Sequence, residues 1–235
     1  MRDGKPVREF EQLLRKRPVI LEVGANDGSH TCEFLGAFPS ATILAFEPEP
    51  RAIAKFKARR LPGVRLFEHA IGARTGETVF YRSGGKSPRF PQFGDWDASG
   101  SIREPAFHLE RHPWCTFERR MTVPISTLDA VVAPYAFKVI DLIWADVQGA
   151  EEDLVRGATE TLKKTRYLYT EYSDKEMYRG QIGLSALCDL IPDFEIVEKF
   201  RSDVLLRNKI LSKKLSLLIP AWSRAALKAL RHPQG

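Results

Sequence analysis

The amino-acid sequence predicts an α/β fold: a doubly wound, mostly parallel sheet finished by an antiparallel hairpin. Three observations carry this expectation. Short β-rich runs alternate with helix-compatible stretches at the spacing of βαβ units. The first run ends in a glycine-rich turn that opens a helix. Two late runs are separated only by Arg201 and Ser202, whereas a parallel crossover takes about a dozen residues.

In chain order, VILEV (19–23), TILAF (42–46) and VRLFEH (64–69) read as strands, with helices expected over 29–37 and 49–60. VIDLIWAD (139–146) reads as a buried strand. The stretch 150–164 opens with Glu151, Glu152 and Asp153 and closes with Lys163 and Lys164, charges that match a helix macrodipole at both ends, so one helix is expected there. YLYTE (167–171) is a further strand and 182–191 a further short helix, before FEIVEKF and DVLLRN form the hairpin. Between Arg82 and Met121 the pattern breaks. This stretch holds Gly84, Gly85, Gly94, Gly100, four prolines and six aromatics (Phe90, Phe93, Trp96, Phe107, Trp114, Phe117), too many aromatics for a disordered segment. A long irregular insertion in a compact domain is usually functional, and it is expected to act as a lid. The organisation expected is one domain over 1–209, carrying the insertion 82–121, and a basic amphipathic tail over 210–235.

Composition bounds the function. With 235 residues, 43% hydrophobic and 28% charged, the chain can bury one sizeable core and is short for two ordinary domains. No apolar run approaches the roughly 20 residues of a membrane span, and the first eighteen residues are too charged for a secretory signal. Cys32, Cys115 and Cys188 are odd in number and far apart, which suggests neither a disulfide framework nor a zinc knuckle and points to the cytoplasm. The net charge of +6 is concentrated: between Lys199 and Gly235 nine basic residues meet one acid, Asp203, so the remainder of the chain is slightly negative. A basic groove for nucleic acid is therefore not expected. In the tail, Trp222, Ala226, Ala229 and Leu230 share one helical face, and Arg224, Lys228 and Arg231 the other. Such a helix fits peripheral contact with the inner face of a membrane, or docking on the sheet or on a second copy in a homo-oligomer.

The chemistry sits in Glu22-Val23-Gly24-Ala25-Asn26-Asp27-Gly28, the end of the first strand, leading into a helix with Ser29 as its expected N-cap. Glycines here let a ligand approach the backbone, and the open amides of the helix start bind polar groups. The dinucleotide fingerprint needs its second glycine where Asn26 stands, whereas acid-x-Gly-x-x-x-Gly suits the amino-acid moiety of S-adenosylmethionine. Glu47, closing the second strand, can accept hydrogen bonds from ribose hydroxyls.

With EVGANDG (22–28), AFEPEP (45–50), HAIGARTGE (69–77), STLDAV (126–131) and DLIWADVQGAEEDLVRGA (141–158), the sequence resembles the FkbM-type S-adenosylmethionine-dependent methyltransferases over about residues 19–172. The resemblance implies a class I methyltransferase (Rossmann-like) fold and O-methylation, mostly of sugars, glycolipids or polyketide-type hydroxyls. It departs from the family at Glu22, where Asp is commoner, and at Trp144, where a basic residue is commoner. Because ligands sit outside the carboxyl ends of the strands, the family pattern implies a cofactor site of Glu22, Gly24, Ala25, Asn26, Gly28, Ser29, Glu47, Pro48, Glu68, His69, Ala70, Asp146 and Gln148. The acceptor is expected beyond Asp146 and Gln148.

Asp146 and Glu171 end adjacent strands and would face one crevice. A hydroxyl that attacks a sulfonium methyl must lose its proton, and Asp146 is the preferred catalytic base, with Glu171 second. The pair could also hold Mg²⁺, which is not favoured because spacing alone does not show it. His108 and His112 stand four apart, but Pro113 follows and no third ligand is evident, so packed or solvated histidines are expected. The lid aromatics, with the hydrogen-bonding Asp95, Asp97, Ser99 and Ser101 interleaved, suit either a sugar ring or the packing of the loop on itself. Two rival functions stand beside O-methylation. One is an RNA methyltransferase, against which DVQG replaces the N/D-P-P-Y/F/W associated with base amino groups. The other is a non-catalytic binding module on a cofactor fold, against which the glycine and acid positions are intact.

Overall fold

A computed structural model of the protein describes residues 4–218. Its elements are β1 (Val19–Val23), α1 (Ser29–Ala37), β2 (Thr42–Phe46), α2 (Pro50–Ala58), β3 (Val64–Phe67), β4 (Ala70–Ile71), β5 (Gly76–Gly85), α3 (Phe107–Arg111), β6 (Cys115–Ser126), α4 (Leu128–Val132), β7 (Ile140–Ala145), α5 (Glu151–Arg156), α6 (Thr159–Lys164), β8 (Thr165–Glu171), α7 (Leu184–Leu190), β9 (Phe194–Lys199), β10 (Asp203–Asn208) and α8 (Lys209–Leu218).

Seven strands form the main sheet in the order β3-β2-β1-β7-β8-β10-β9. The first five run parallel, and β10 pairs antiparallel with both β8 and β9. Strand order reverses between β1 and β7, the topological switch point where α/β sheets bind ligands. One face of the sheet packs Leu21, Leu44, Ile143, Leu168 and Leu206 against Leu128, Leu154, Leu162 and Leu187 of α4 to α7. The other packs Ile20, Ile43, Leu142, Trp144 and Tyr169 against Phe34 of α1 and the N-terminal Val7 and Phe10. Alternate residues of each strand thus serve opposite cores, which accounts for their nearly unbroken apolar runs. Trp144 is part of that second core, stacked on Tyr169 at a centroid distance of 4.3 Å with Phe34 edge-on at 5.4 Å.

Three expectations need correction. The insertion is regular at both ends: β5 and β6 form an antiparallel ladder from Gly76 opposite Ile125 to Gly85 opposite Cys115, and with β4 they build a second, three-stranded sheet. The irregular part is the segment between β5 and β6, and Tyr81 exchanges both backbone hydrogen bonds with Ser101 to bring it back against the sheet. The helix expected over 150–164 is two helices, α5 and α6, broken at Gly157. A Cβ there would stand 2.0 Å from the Gly72 carbonyl oxygen, so the chain bends where another backbone crosses it. Ser29 is the first helical residue rather than the cap. Gly28 is the N-cap, at φ 80°, and Asp27 Oδ1 accepts from both the Ser29 amide and hydroxyl at 3.0 and 2.7 Å.

The tail is helical over Lys209–Leu218; the amphipathic stretch with Trp222 lies outside the described residues. Asn208 fastens the helix start, accepting from Leu211 N at 2.8 Å while its Nδ2 donates to the Leu162 carbonyl at 3.1 Å. Among the described residues no helix is long and apolar enough to cross a membrane.

Candidate active site

At the switch point a cleft of about 980 Å³, open mouth included, lies beyond the ends of β1, β2 and β7. Its floor is the turn after β1. Gly24 adopts φ +84°, and a Cβ there would lie 1.9 Å from the carbonyl oxygen of Asp146, so glycine is required for β1 and β7 to end side by side. The amides of Gly24 and Ala25 both donate to the Phe46 carbonyl at 3.0 Å, fastening the turn to β2. Asn26 follows at φ 45°.

Glu47 closes β2 and is 5% exposed. Its two carboxylate oxygens accept from the amides of Glu49 and Asn26, each at 2.8 Å. Burial outweighs these bonds and pushes its pKa up to about 7. Each oxygen has a second lone pair left, and Glu47 lines the cleft. Glu22 is fully buried; its Oε2 accepts from Thr31 Oγ1 at 2.5 Å, while Oε1 has no hydrogen-bond partner. Burial raises it to about 8.

The far walls are Phe46, Ile71, Phe80 and Ile102, with His69 at their edge. The His69 Nε2 is buried without a partner, and burial holds the ring in its neutral form. A flat apolar slot beside one unpaired imidazole nitrogen suits a purine, and a buried carboxylate with free lone pairs suits a ribose diol. The residues present therefore fit the nucleoside half of S-adenosylmethionine.

Beyond Asp146 the chain turns through Gln148 (φ 51°) and Gly149 (φ 88°). Gln148 Nε2 donates to Asp146 Oδ1 at 2.6 Å and to Glu171 Oε2, across from β8, at 3.0 Å. Its Oε1 accepts from the Tyr178 hydroxyl at 2.8 Å. Burial raises the pKa of both carboxyls, and the Asp146 charge adds to burial in raising Glu171 well above the usual carboxyl range.

Of the residues expected from the sequence, Gly24, Ala25, Asn26, Ser29, Glu47, Pro48, His69, Ala70, Asp146 and Gln148 line this one cleft. Four do not. Glu22 is inside the protein behind the turn. Gly28 faces α2, where a Cβ would meet the Phe56 ring at 2.8 Å. Glu68 points to solvent and pairs with Lys57 at 2.6 Å. Glu171 stands behind Asp146 and Gln148 and hydrogen-bonds both of them. Sequence reasoning missed His30 and Tyr178; Asp97 and Ser101, expected as lid groups for a sugar ring, line this cleft. Asp97 arrives from the insertion, paired with Lys55 at 2.7 Å, and its carbonyl accepts from Asn26 Nδ2 at 3.3 Å. No motif marks His30 or Tyr178, and both lie outside the insertion. His108 and His112 pack on each other at 4.9 Å and on Tyr178 and Trp114, and burial lowers His108 to about 4. Among the described residues no group of three or more metal-ligating side chains occurs.

The Methyltransferase FkbM domain matches residues 22–204. The chain is 46% identical over 208 residues to the 2-O-methyltransferase NoeI of Sinorhizobium fredii (strain NBRC 101917 / NGR234), covering 86% of this chain and 84% of that protein. It is 27% identical over 221 residues to the AMB antimetabolite synthetase AmbE of Pseudomonas aeruginosa, covering 81% of this chain and 10% of that protein. Among solved structures, a SAM dependent methyltransferase from Aquifex aeolicus superposes with a TM-score of 0.46 at 9% identity, covering 88% of this chain and 90% of that one. The family match takes in every motif around the cleft, from the acid of β1 to the strand that follows β9, and the chain belongs to the FkbM methyltransferase family.

Proposed function

We propose that this S-adenosylmethionine-dependent enzyme methylates a hydroxyl of a saccharide or glycoconjugate, and that Asp146 is the base that takes the hydroxyl proton. The observation that carries the reading is the carboxyl pair at the ends of β7 and β8, bridged by Gln148 at the edge of the cleft. When bound, S-adenosylmethionine supplies an electrophilic methyl group on a sulfonium. The protein must orient the acceptor and receive its proton. Asp146 lines the cleft and Glu171 stands behind it, so Asp146 is the member of the pair within reach of an acceptor. A positioned base of this kind contributes about 10²–10⁴ in rate.

The saccharide acceptor is supported from two sides. The relative of 46% identity is named for 2-O-methylation, and the family resemblance implies sugar hydroxyls. A groove beyond Ile102, lined by Tyr81, Arg103, Glu104 and Arg179, offers a ring face and several charged donors and acceptors, the equipment with which a polyhydroxylated molecule is held.

The test is transfer of label from methyl-labelled S-adenosylmethionine to oligosaccharide, glycolipid and RNA fractions. Label is expected in a saccharide-bearing fraction; label in RNA alone refutes the acceptor class. Asp146→Asn is nearly isosteric but a poor proton acceptor. It should keep S-adenosylhomocysteine affinity within a few-fold while kcat falls by about 10² or more. Full turnover in that variant removes Asp146 from the role.

A further inference from the structure

The amide of Gln148 has a polarity, and the proposed base depends on it. Both Nε2 protons are spent on Asp146 Oδ1 and Glu171 Oε2, at 2.6 and 3.0 Å. Asp146 as an ionised base favours this orientation, but a protonated Glu171 would not, because a protonated carboxyl can equally donate to an amide oxygen. The backbone of Gln148 is fixed independently: it sits at φ 51°, and its carbonyl accepts from Ser101 Oγ at 2.7 Å. What touches the other end of the amide is the Tyr178 hydroxyl, 2.8 Å from Oε1.

Tyr178 is held in place for this contact. It is 3% exposed, and its ring lies so close over Gly149 that a Cβ there would meet ring carbons at 2.8 Å. Its backbone is stitched to the insertion, with Ala106 N donating to the Met177 carbonyl at 2.9 Å and Arg179 N to the Glu104 carbonyl at 2.7 Å. The hydroxyl also lies 2.9 Å from the Ser99 carbonyl. One phenolic proton thus stands before two acceptors, and Gln148 Oε1 is the nearer.

We infer that Tyr178 is a positioning residue for methyl transfer: by donating its proton to Gln148 Oε1 it holds the amide with Nε2 toward Asp146 and Glu171, which aims the base at the acceptor. The inference rests on the proposed role of Asp146. Without the phenol, Oε1 is a buried acceptor with no donor, and the amide loses the anchor that keeps Nε2 on both carboxyls. Asp146 then loses a donor that favours its carboxylate form. The charged or titratable groups around the pair are His30 from α1, Glu47 from β2, Glu151 from α5, Asp203 from β10 and Tyr178 itself. Glu171 already hydrogen-bonds Asp146 and His30 acts on it only through charge, so neither replaces the lost donor.

The experiment compares wild type, Tyr178→Phe, Gln148→Leu, the double variant and Asp146→Asn. In the free protein, the side-chain amide protons of Gln148, assigned by their absence in Gln148→Leu, should resonate downfield in wild type and move upfield in Tyr178→Phe. With the saccharide fraction that takes label as acceptor, Tyr178→Phe should lose at least tenfold in kcat, with its acidic limb moved to higher pH and S-adenosylhomocysteine affinity within threefold. The double variant should be no slower than Gln148→Leu alone. Unmoved amide resonances in a folded Tyr178→Phe, or losses that multiply in the double variant, overturn the inference. Should Tyr178→Phe not fold, wild type decides: a slowly exchanging Tyr178 hydroxyl proton close to Gln148 supports the contact, and its absence overturns it. An inactive Asp146→Asn beside an unimpaired Tyr178→Phe refutes this inference alone, whereas a fully active Asp146→Asn refutes the base assignment beneath it.

Discussion

Glu47 gives the most direct link between burial and cofactor affinity. Its carboxyl is pushed up to about 7, chiefly by burial, yet a ribose diol that donates to it needs the ionised form. At pH 8 about nine-tenths of the free protein carries that form and at pH 6 about one-tenth, so the affinity for S-adenosylhomocysteine should weaken about tenfold between them. The sign for stability runs the other way. Between about pH 4.5 and 7 the folded protein holds a proton on Glu47 that the unfolded chain releases, so this group's contribution to stability is present at low pH and lost as pH rises through that window. The raised pKa corresponds to a loss of about 3 kcal/mol. Glu47→Gln removes the charge and sets an amide group against one of two backbone donors, Asn26 N or Glu49 N. It should weaken binding at pH 8 by about 1.5–3 kcal/mol, or roughly 10- to 150-fold. It should also flatten the slope between pH 6 and 8. Titration calorimetry at three pH values measures both, and the variant controls for ionisation of the ligand's own amino and carboxyl groups. A wild-type Kd that is equal at pH 6 and 8, or a slope that survives in Glu47→Gln, refutes the reasoning.

Other substitutions probe the frame around the site. Asp141 is fully buried under β1, binding Arg15 through both oxygens at 2.8 and 2.6 Å, Val19 N at 3.0 Å and Arg166 at 3.2 Å; Asp141→Ala should cost about 2 kcal/mol in urea unfolding, because a backbone donor loses its partner while the guanidiniums still reach water. Gly24→Ala should lower the melting temperature even without cofactor, since its Cβ strikes the Asp146 carbonyl at 1.9 Å; an unchanged melting point with lost affinity would mean that the clash is with ligand alone. Removing residues 219–235 should leave S-adenosylhomocysteine binding intact and reduce co-sedimentation with anionic vesicles at low salt, as Arg224, Lys228 and Arg231 go with it, each worth about 1 kcal/mol at such a surface; equal sedimentation of both forms would exclude a membrane role for that segment.

The main sheet was legible because its strands are buried on both faces, and short apolar runs such as TILAF and IDLIWA have few other readings. The β5–β6 hairpin was harder. Its outer positions, among them Glu77, Arg119 and Arg120, face solvent, and Gly84 and Gly85 at the far end resemble a loop. The break between α5 and α6 had no local cause at all, since the obstacle is the carbonyl of Gly72, some eighty positions away in sequence. In the site, the acid and glycine positions were readable because they serve backbone geometry that spacing encodes. Even so, Gly24 is glycine on account of β7 rather than only to admit a ligand. Tyr178, and the contact of Asp97 with Asn26, could not be read, because loops carry both residues and only the assembled ladder brings them to Gln148 and Asn26.

The segment from Asp97 to Ile102 supplies one whole wall of the cleft, and its position depends on two strands meeting across the long loop that contains it. It is fastened to α2 by Lys55–Asp97 at 2.7 Å and by Arg51, which reaches Asp95 at 2.5 Å and the Ser83 carbonyl at 2.6 Å. A chain that has closed only its seven-stranded sheet owns Gly24, Glu47 and Asp146 but has a floor without a ceiling. Loop-closure entropy makes the ceiling the later piece to arrive, and its ties to α2 are ion pairs with an exposed partner, which salt screens. Refolding and the exchange of spent for fresh cofactor therefore share a rate-setting event, the docking of this one segment, and added salt should quicken exchange far more than it lowers the melting temperature.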